Sequence, residues 1–197
     1  MKIKILFLSF ASLVLPACGS MQTVDGPGMI MNYGSTMEGR SADIRAITFP
    51  SEKRMIYGLT VTGGRKPNWR HAVGTTEGMS GDTRGVPEWL DFEWREPSYP
   101  GLEPQDFPSK EAYSKAVSEK YSKLTTKTQR VFIKSRIPPE IVHEAIESRL
   151  HVQKGQGLPE KSLWIYFVWT DDGIKFRWDL YCTKPACAMK EGGDEIN

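Results

Sequence analysis

The chain has 197 residues, 39% of them hydrophobic and 25% charged, which is the balance of one ordinary globular domain and excludes a disordered, collagenous or long coiled-coil chain. A domain of this size buries about 70% of its unfolded surface, so it needs no dense disulfide or metal framework. Lys and Arg number 26 against 24 acidic residues, and removal of Lys2 and Lys4 with the leader described next leaves 24 against 24, a balance that argues against nucleic acid as a partner.

Residues 1–17 have the layout of an export signal, with Lys2 and Lys4 ahead of an apolar run from Ile5 to Leu15. That run falls well short of the roughly 20 residues a membrane-spanning helix needs. Leu15-Pro16-Ala17-Cys18-Gly19 resembles the lipobox of bacterial lipoproteins. The resemblance implies cleavage before Cys18, lipidation of its sulfur and a mature chain anchored in the membrane by several acyl chains. Gly19, where an inner-membrane lipoprotein carries Asp, implies the periplasmic leaflet of the outer membrane. Residues 18–40 are rich in Gly, Ser, Met and Thr without a period and read as a tether lacking regular structure, ahead of a domain at 41–190.

Within that domain, Ile44 to Phe49 and Met55 to Val61 are rich in strand formers and predict an antiparallel hairpin. Gly63 to Pro87 has six glycines and scattered apolar residues, and reads as a long loop around a short strand near Trp69 to Val73. Trp89 to Arg95 places Leu90, Phe92 and Trp94 on one face of a strand. Ser109 caps a helix from Lys110 to Leu124 whose stripe is Ala112, Tyr113, Ala116, Val117, Tyr121 and Leu124. Val131 to Lys134 predicts a strand, and Pro138 and Pro139 open a second helix that Gly155 and Gly157 stop. Leu163 to Trp169 and Ile174 to Leu180 flank Asp172-Gly173 and predict a hairpin, with the first strand central and covered by a helix. Residues 191–197 read as a polar tail. The expected class is α+β: an antiparallel sheet with two helices packed on it, in a single domain.

Few residues offer chemistry. His143-Glu144-Ala145-Ile146-Glu147 approaches the zinc-protease helix but has Glu where the second imidazole belongs, and His71 and His151 form no further metal pattern. Gly78-Met79-Ser80-Gly81-Asp82 resembles a nucleophile elbow, yet Asp82 stands in place of the second glycine. Gly63-Gly64-Arg65-Lys66 satisfies no phosphate-loop pattern, and Asp91 and Glu93 read as the wet side of a strand. No metal and no cofactor is expected. Cys182 and Cys187 remain as a pair once Cys18 carries lipid. Export and the turn favoured by Pro185 predict a disulfide between them, whereas a redox pair has Cys-x-x-Cys spacing. Trp164, Trp169 and Trp178 fall in core strands, while Trp69 sits among Asn68, Arg70 and His71 and suits either an interface or the core.

The lipobox, Val86-Pro87-Glu88-Trp89-Leu90-Asp91-Phe92-Glu93-Trp94, the run from Val131 to Glu140 and the Trp169 to Trp178 hairpin together resemble a group of small bacterial lipoproteins. Members of that group are often encoded beside phospholipase effectors of type VI secretion systems and act as their periplasmic immunity proteins. The resemblance spans the leader and about residues 86–181, rests on Pro-Trp and strand patterns, and carries no functional residue with it. It implies a non-enzymatic binding protein whose partner is a cognate phospholipase. The competing expectation is a structural or assembly lipoprotein of the envelope, and the third a hydrolase. For a toxin-binding surface the sequence offers the Gly63–Pro87 loop, with Arg65, Lys66, Trp69, Arg70, His71 and Arg84 as contacts, against the alternative of a solvated connector.

Overall fold

The structure, a computed structural model, describes residues 26–51, 54–63, 74–78, 85–97, 101–153, 159–184 and 187–196. These residues form an α+β domain of nine strands and two α-helices. One sheet has five strands in the order β4-β1-β7-β8-β9: β4 (Gly74–Gly78), β1 (Met29–Ser35), β7 (Lys161–Thr170), β8 (Gly173–Cys182) and β9 (Lys190–Gly193). The other has four in the order β3-β2-β5-β6: β3 (Arg54–Thr62), β2 (Ser41–Thr48), β5 (Trp89–Arg95) and β6 (Lys127–Phe132). Every pair is antiparallel except β1 with β7.

There are two sheets rather than one because both present apolar alternation to the same interior. Leu90, Phe92 and Trp94 of β5 face Leu163, Ile165, Phe167 and Trp169 of β7, and all seven are buried. The Phe92 ring lies 4.8 Å from Phe167 and meets Trp169 edge-on at 5.5 Å, while Trp94 meets Trp169 at 6.2 Å. Each such side chain contributes about 1.5–3 kcal/mol by leaving water. Helix α2 (Pro139–Gln153) buries Ile141 and Ala145 and packs on β7, so β7 is central and helix-covered as its composition predicts. Ser148 Oγ accepts from the Lys161 amide at 2.9 Å, and Glu144 joins α2 to Lys161 of β7 at 2.6 Å.

Several expectations are corrected. The segment read as a tether over 18–40 contains β1, whose Met29, Met31 and Tyr33 are 1–3% exposed, so the fold begins at least by Met29. A run flanked by glycines becomes a strand because β7 and β4 pair with it on either side. The segment read as a polar tail likewise contributes to the fold, since β9 (Lys190–Gly193) pairs with β8. Beyond β9, Asp194 accepts from the Phe176 amide at 2.8 Å and from Arg136 at 2.5 Å. The presumed loop from Gly63 to Pro87 includes β4, whereas the Trp69 to Val73 strand expectation lies outside the described residues. At the start of that stretch, a Cβ on Gly63 would fall on the Met37 carbonyl, so only glycine permits this approach.

Two further differences concern side-chain direction. Trp164 is half-buried on the face of β7 turned away from the other sheet: register places it beside Ile30 and Asp179, and its ring tilts against Tyr181 at 5.1 Å. Helix α1 (Lys110–Ser122) is capped by Ser109, whose Oγ accepts from the Ala112 amide at 3.2 Å, but it buries no residue. It packs on the 3-10 turn Pro104–Asp106 instead of on a sheet.

Candidate protein-binding surfaces

The segments Val86–Trp94, Val131–Glu140 and the Trp169–Trp178 hairpin meet in space. β5 and β6 are neighbours, with Trp89 opposite Phe132 and Leu90 opposite Val131, and Ile133 donates its amide to the Glu88 carbonyl at 3.0 Å. The β7–β8 hairpin is locked to them by Gln129, which accepts from the Ile174 amide at 2.8 Å and donates to its carbonyl at 3.0 Å. Much of the apolar pattern in these segments therefore builds the interior; what its alternate residues present outward is the first candidate surface.

On the outer face of the four-stranded sheet, the Arg130 guanidinium lies 3.8 Å over the Trp89 ring. Asp91 holds both its Nε and Nη2 at 2.7 Å, and these hydrogen bonds push the Arg130 pKa still higher. Phe132, directly across from Trp89, is 56% exposed, the most open of the large apolar side chains described. A Lys134–Glu88 pair at 2.7 Å stands at the rim. The arrangement is a flat platform of Trp, Phe and Arg, the types that dominate binding hot spots, with the Arg rotamer fixed before any partner arrives. Its signal was present in the sequence: odd-numbered residues of Trp89 to Arg95 had to face outward once Leu90, Phe92 and Trp94 faced in.

The second surface is the excursion between β5 and β6. Arg95 ties its end to the sheet, donating to the Tyr121 carbonyl at 3.1 Å and to Thr126 Oγ1 at 3.2 Å. α1 and the chain before it enclose a cleft of about 290 Å³ lined by Leu102, Pro104, Tyr113, Val117, Lys120 and Tyr121. A shallower one lies against Leu102, Phe107, Ala116, Lys123 and Leu124. The stripe that sequence assigns to this helix is thus present, and its partner is a short local strap instead of the core.

Between the arm and the interior sits a half-buried carboxylate. Burial opposes ionisation of Glu96, but hydrogen bonds from Lys127 and Trp94 Nε1, each 2.8 Å, and the charges of Lys127 and Arg40 outweigh it and leave its pKa below the ordinary value. Arg40 also pairs with Asp171 at the β7–β8 turn, so this knot fastens the two sheets together.

The cysteine pair expected from sequence is joined, with Cys182 and Cys187 bonded across a Cα separation of 5.8 Å. Cys18 and the proposed contacts Arg65, Lys66, Trp69, Arg70, His71 and Arg84 lie outside the described residues. His143 and Glu147 form an exposed pair at 3.1 Å on α2, and Asp91 serves Arg130. Among the described residues, no group of three or more His, Cys, Asp and Glu side chains could hold a metal ion, and no helix is long and apolar enough to cross a membrane. Compared with models of known families, with curated proteins and with solved structures, the chain matches none.

Proposed function

We propose that the chain is a lipid-anchored immunity protein that binds and neutralises a phospholipase effector of a type VI secretion system in the periplasm. The observation that carries this reading is the Trp89–Arg130–Phe132 platform, a surface cluster of hot-spot residue types in which Phe132 and Arg130 are exposed and Trp89 is half-buried beneath the guanidinium. The lipobox at Cys18 supports the location, and the resemblance of residues 86–181 supports the partner class. A lipase attacks membrane lipid, so an inhibitor held at the same surface meets it at high effective concentration. In this reading Arg65, Lys66, Trp69, Arg70, His71 and Arg84 remain partner contacts proposed from the sequence alone.

Deletion of the gene in cells that receive the effector is expected to cause lysis or growth arrest, and an exported copy to restore growth. Cys18→Ser is expected to lose palmitate labelling and membrane association. Equal survival with and without the gene, against every effector of its strain, would overturn the reading and favour a structural envelope lipoprotein.

A further inference from the structure

Among the described residues four large apolar side chains are exposed, and only Phe132 belongs to the platform. The other three, Tyr181, Met189 and Leu150, are 41%, 50% and 38% exposed and stand at one end of the five-stranded sheet, where β1 and β7 begin. Leu180 pairs with Lys190, so Tyr181 and Met189 follow side by side where β8 ends and β9 begins. The Cys182–Cys187 disulfide holds that corner, and the half-buried Trp164 ring backs Tyr181 at 5.1 Å. Leu150 lies in the last turn of α2, beside Arg149.

The chain enters the domain at the same end. Arg149 donates to the Gly26 carbonyl at 2.9 Å, and a Cβ on Gly28, whose φ is +64°, would crowd the Arg149 side chain at 3.2 Å. Met29 then pairs with Leu163 near the start of β7. Cys18 stands eight residues before Gly26, a reach of about 29 Å at full stretch, whereas a domain of this size is about 40 Å across. A lipid on Cys18 therefore keeps this end next to the bilayer and denies the bilayer to the far one.

We propose that Tyr181, Met189 and Leu150 form a membrane-facing surface that rests on the phospholipid headgroups and fixes how the anchored domain is turned. This rests on the lipid at Cys18 in the proposed function and is independent of which effector the domain meets. The short reach from Cys18 to Gly26 selects the bilayer as the occupant, because it brings this end to the lipid and no other. Side-chain chemistry agrees: a Tyr with an apolar body and a polar tip suits the headgroup boundary, and Met and Leu add apolar area. Charge does not oppose the contact. Lys161 and Lys190 share Glu144, Lys184 pairs with Glu160, and Arg177 with Glu191, so these carboxylates are each met by a cation and do not repel lipid phosphates. A few side chains suffice, because the tether makes the contact intramolecular and supplies a high effective concentration.

The test is hydroxyl-radical footprinting, read by mass spectrometry, of the chain carrying its lipid on vesicles of phosphatidylethanolamine and phosphatidylglycerol, with the soluble Cys18→Ser chain as the reference. Tyr181, Met189 and Leu150 are expected to lose most of their labelling on the vesicles, while Phe132, equally exposed in both samples, keeps its own. Tyr181→Glu with Met189→Glu, at two exposed positions, is expected to restore labelling at Leu150 while the lipid still holds the chain on the vesicles. If the lipidated chain sits on vesicles and Tyr181 and Met189 label as they do in Cys18→Ser, the surface is overturned and the anchor stands. Absence of lipid on Cys18 overturns both. Protection of the same residues in soluble Cys18→Ser, growing with protein concentration, assigns them to a contact with a second copy, and the proposal fails.

Discussion

In β5, Leu90, Phe92 and Trp94 recur at every second residue and all three are sealed between the sheets; in α1, Tyr113, Val117 and Tyr121 recur at every fourth and none is buried. Both patterns are amphipathic, and only one has an opposing surface inside the fold. For β5 that surface is β7, whose rings interlock with it at 4.8–6.2 Å. α1 meets a strap of about seven residues around a 3-10 turn. The difference teaches that periodicity states what a segment can bury, while the rest of the chain decides whether it does. It also separates two parts of the molecule: the interior holds the scaffold, while the platform and the arm stay at its surface.

The comparison is broken most severely at its buried end. Trp169→Ala removes the ring on which Phe92 and Trp94 converge, and is expected to destabilise the domain by about 3–5 kcal/mol in urea unfolding. A loss below about 1 kcal/mol, the ordinary value for a random substitution, would mean the two sheets do not depend on each other. Gly63→Ala tests the backbone approach at Met37 and is expected to cost about 1–3 kcal/mol, because neither main chain can yield easily; an unchanged melting temperature would show that it can.

Acid sharpens the comparison at the joints of the scaffold. Burial opposes ionisation of Asp194, yet the Phe176 amide, Arg136 and Lys175 hold its carboxyl below the ordinary pKa; hydrogen bonds from Lys161 and Lys190 do the same for Glu144. A depressed carboxylate gives stability that is fully present above its unfolded pKa of about 4 and is lost as pH falls through the lower folded value. Melting temperature is therefore expected to hold from pH 7 down to about 5 and to drop below about 4. Asp194→Asn should make that drop shallower, and an identical acid limb in the variant would remove Asp194 from the account. The smallest global effect is expected at the arm. Ser109→Ala should cost α1 about 1 kcal/mol, seen as faster hydrogen exchange of its own amides, with little change in the unfolding midpoint. A full shift of the midpoint would show that α1 unfolds with the core.

Strands and helices were legible where period and punctuation agreed. Ser109 before the α1 stripe, Asp172-Gly173 between two aromatic runs, and the alternation of Trp89 to Arg95 each fixed an element close to its observed bounds. β1 was missed because Met29, Met31 and Tyr33 alternate in a stretch dominated by Gly, Ser and Thr, and strand formation there depends on β7, more than a hundred residues away. β9 was missed for the same reason: Lys190-Glu191-Gly192-Gly193 has no apolar face, and its glycines matter because a Cβ on Gly192 would approach the Trp178 ring to 2.7 Å. Trp164 lies in the core strand that its sequence context predicts and packs on Tyr166 and Tyr181, while the face of β7 it occupies follows only from register with β8. The platform was half legible. The outward place of Trp89 followed from period two, while its contact with Arg130 needed the pairing of β5 with β6.

The most direct test of the proposal that this scaffold bears a binding surface for a lipase is inhibition of the phospholipase effectors of its own strain on vesicles by the purified domain. The account predicts complete inhibition at one domain per enzyme. It also predicts that Trp89→Ala with Phe132→Ala raises the concentration needed by roughly thirtyfold while the domain stays folded. Full lipase activity in the presence of excess wild-type domain, or equal inhibition by the folded double variant, would contradict it.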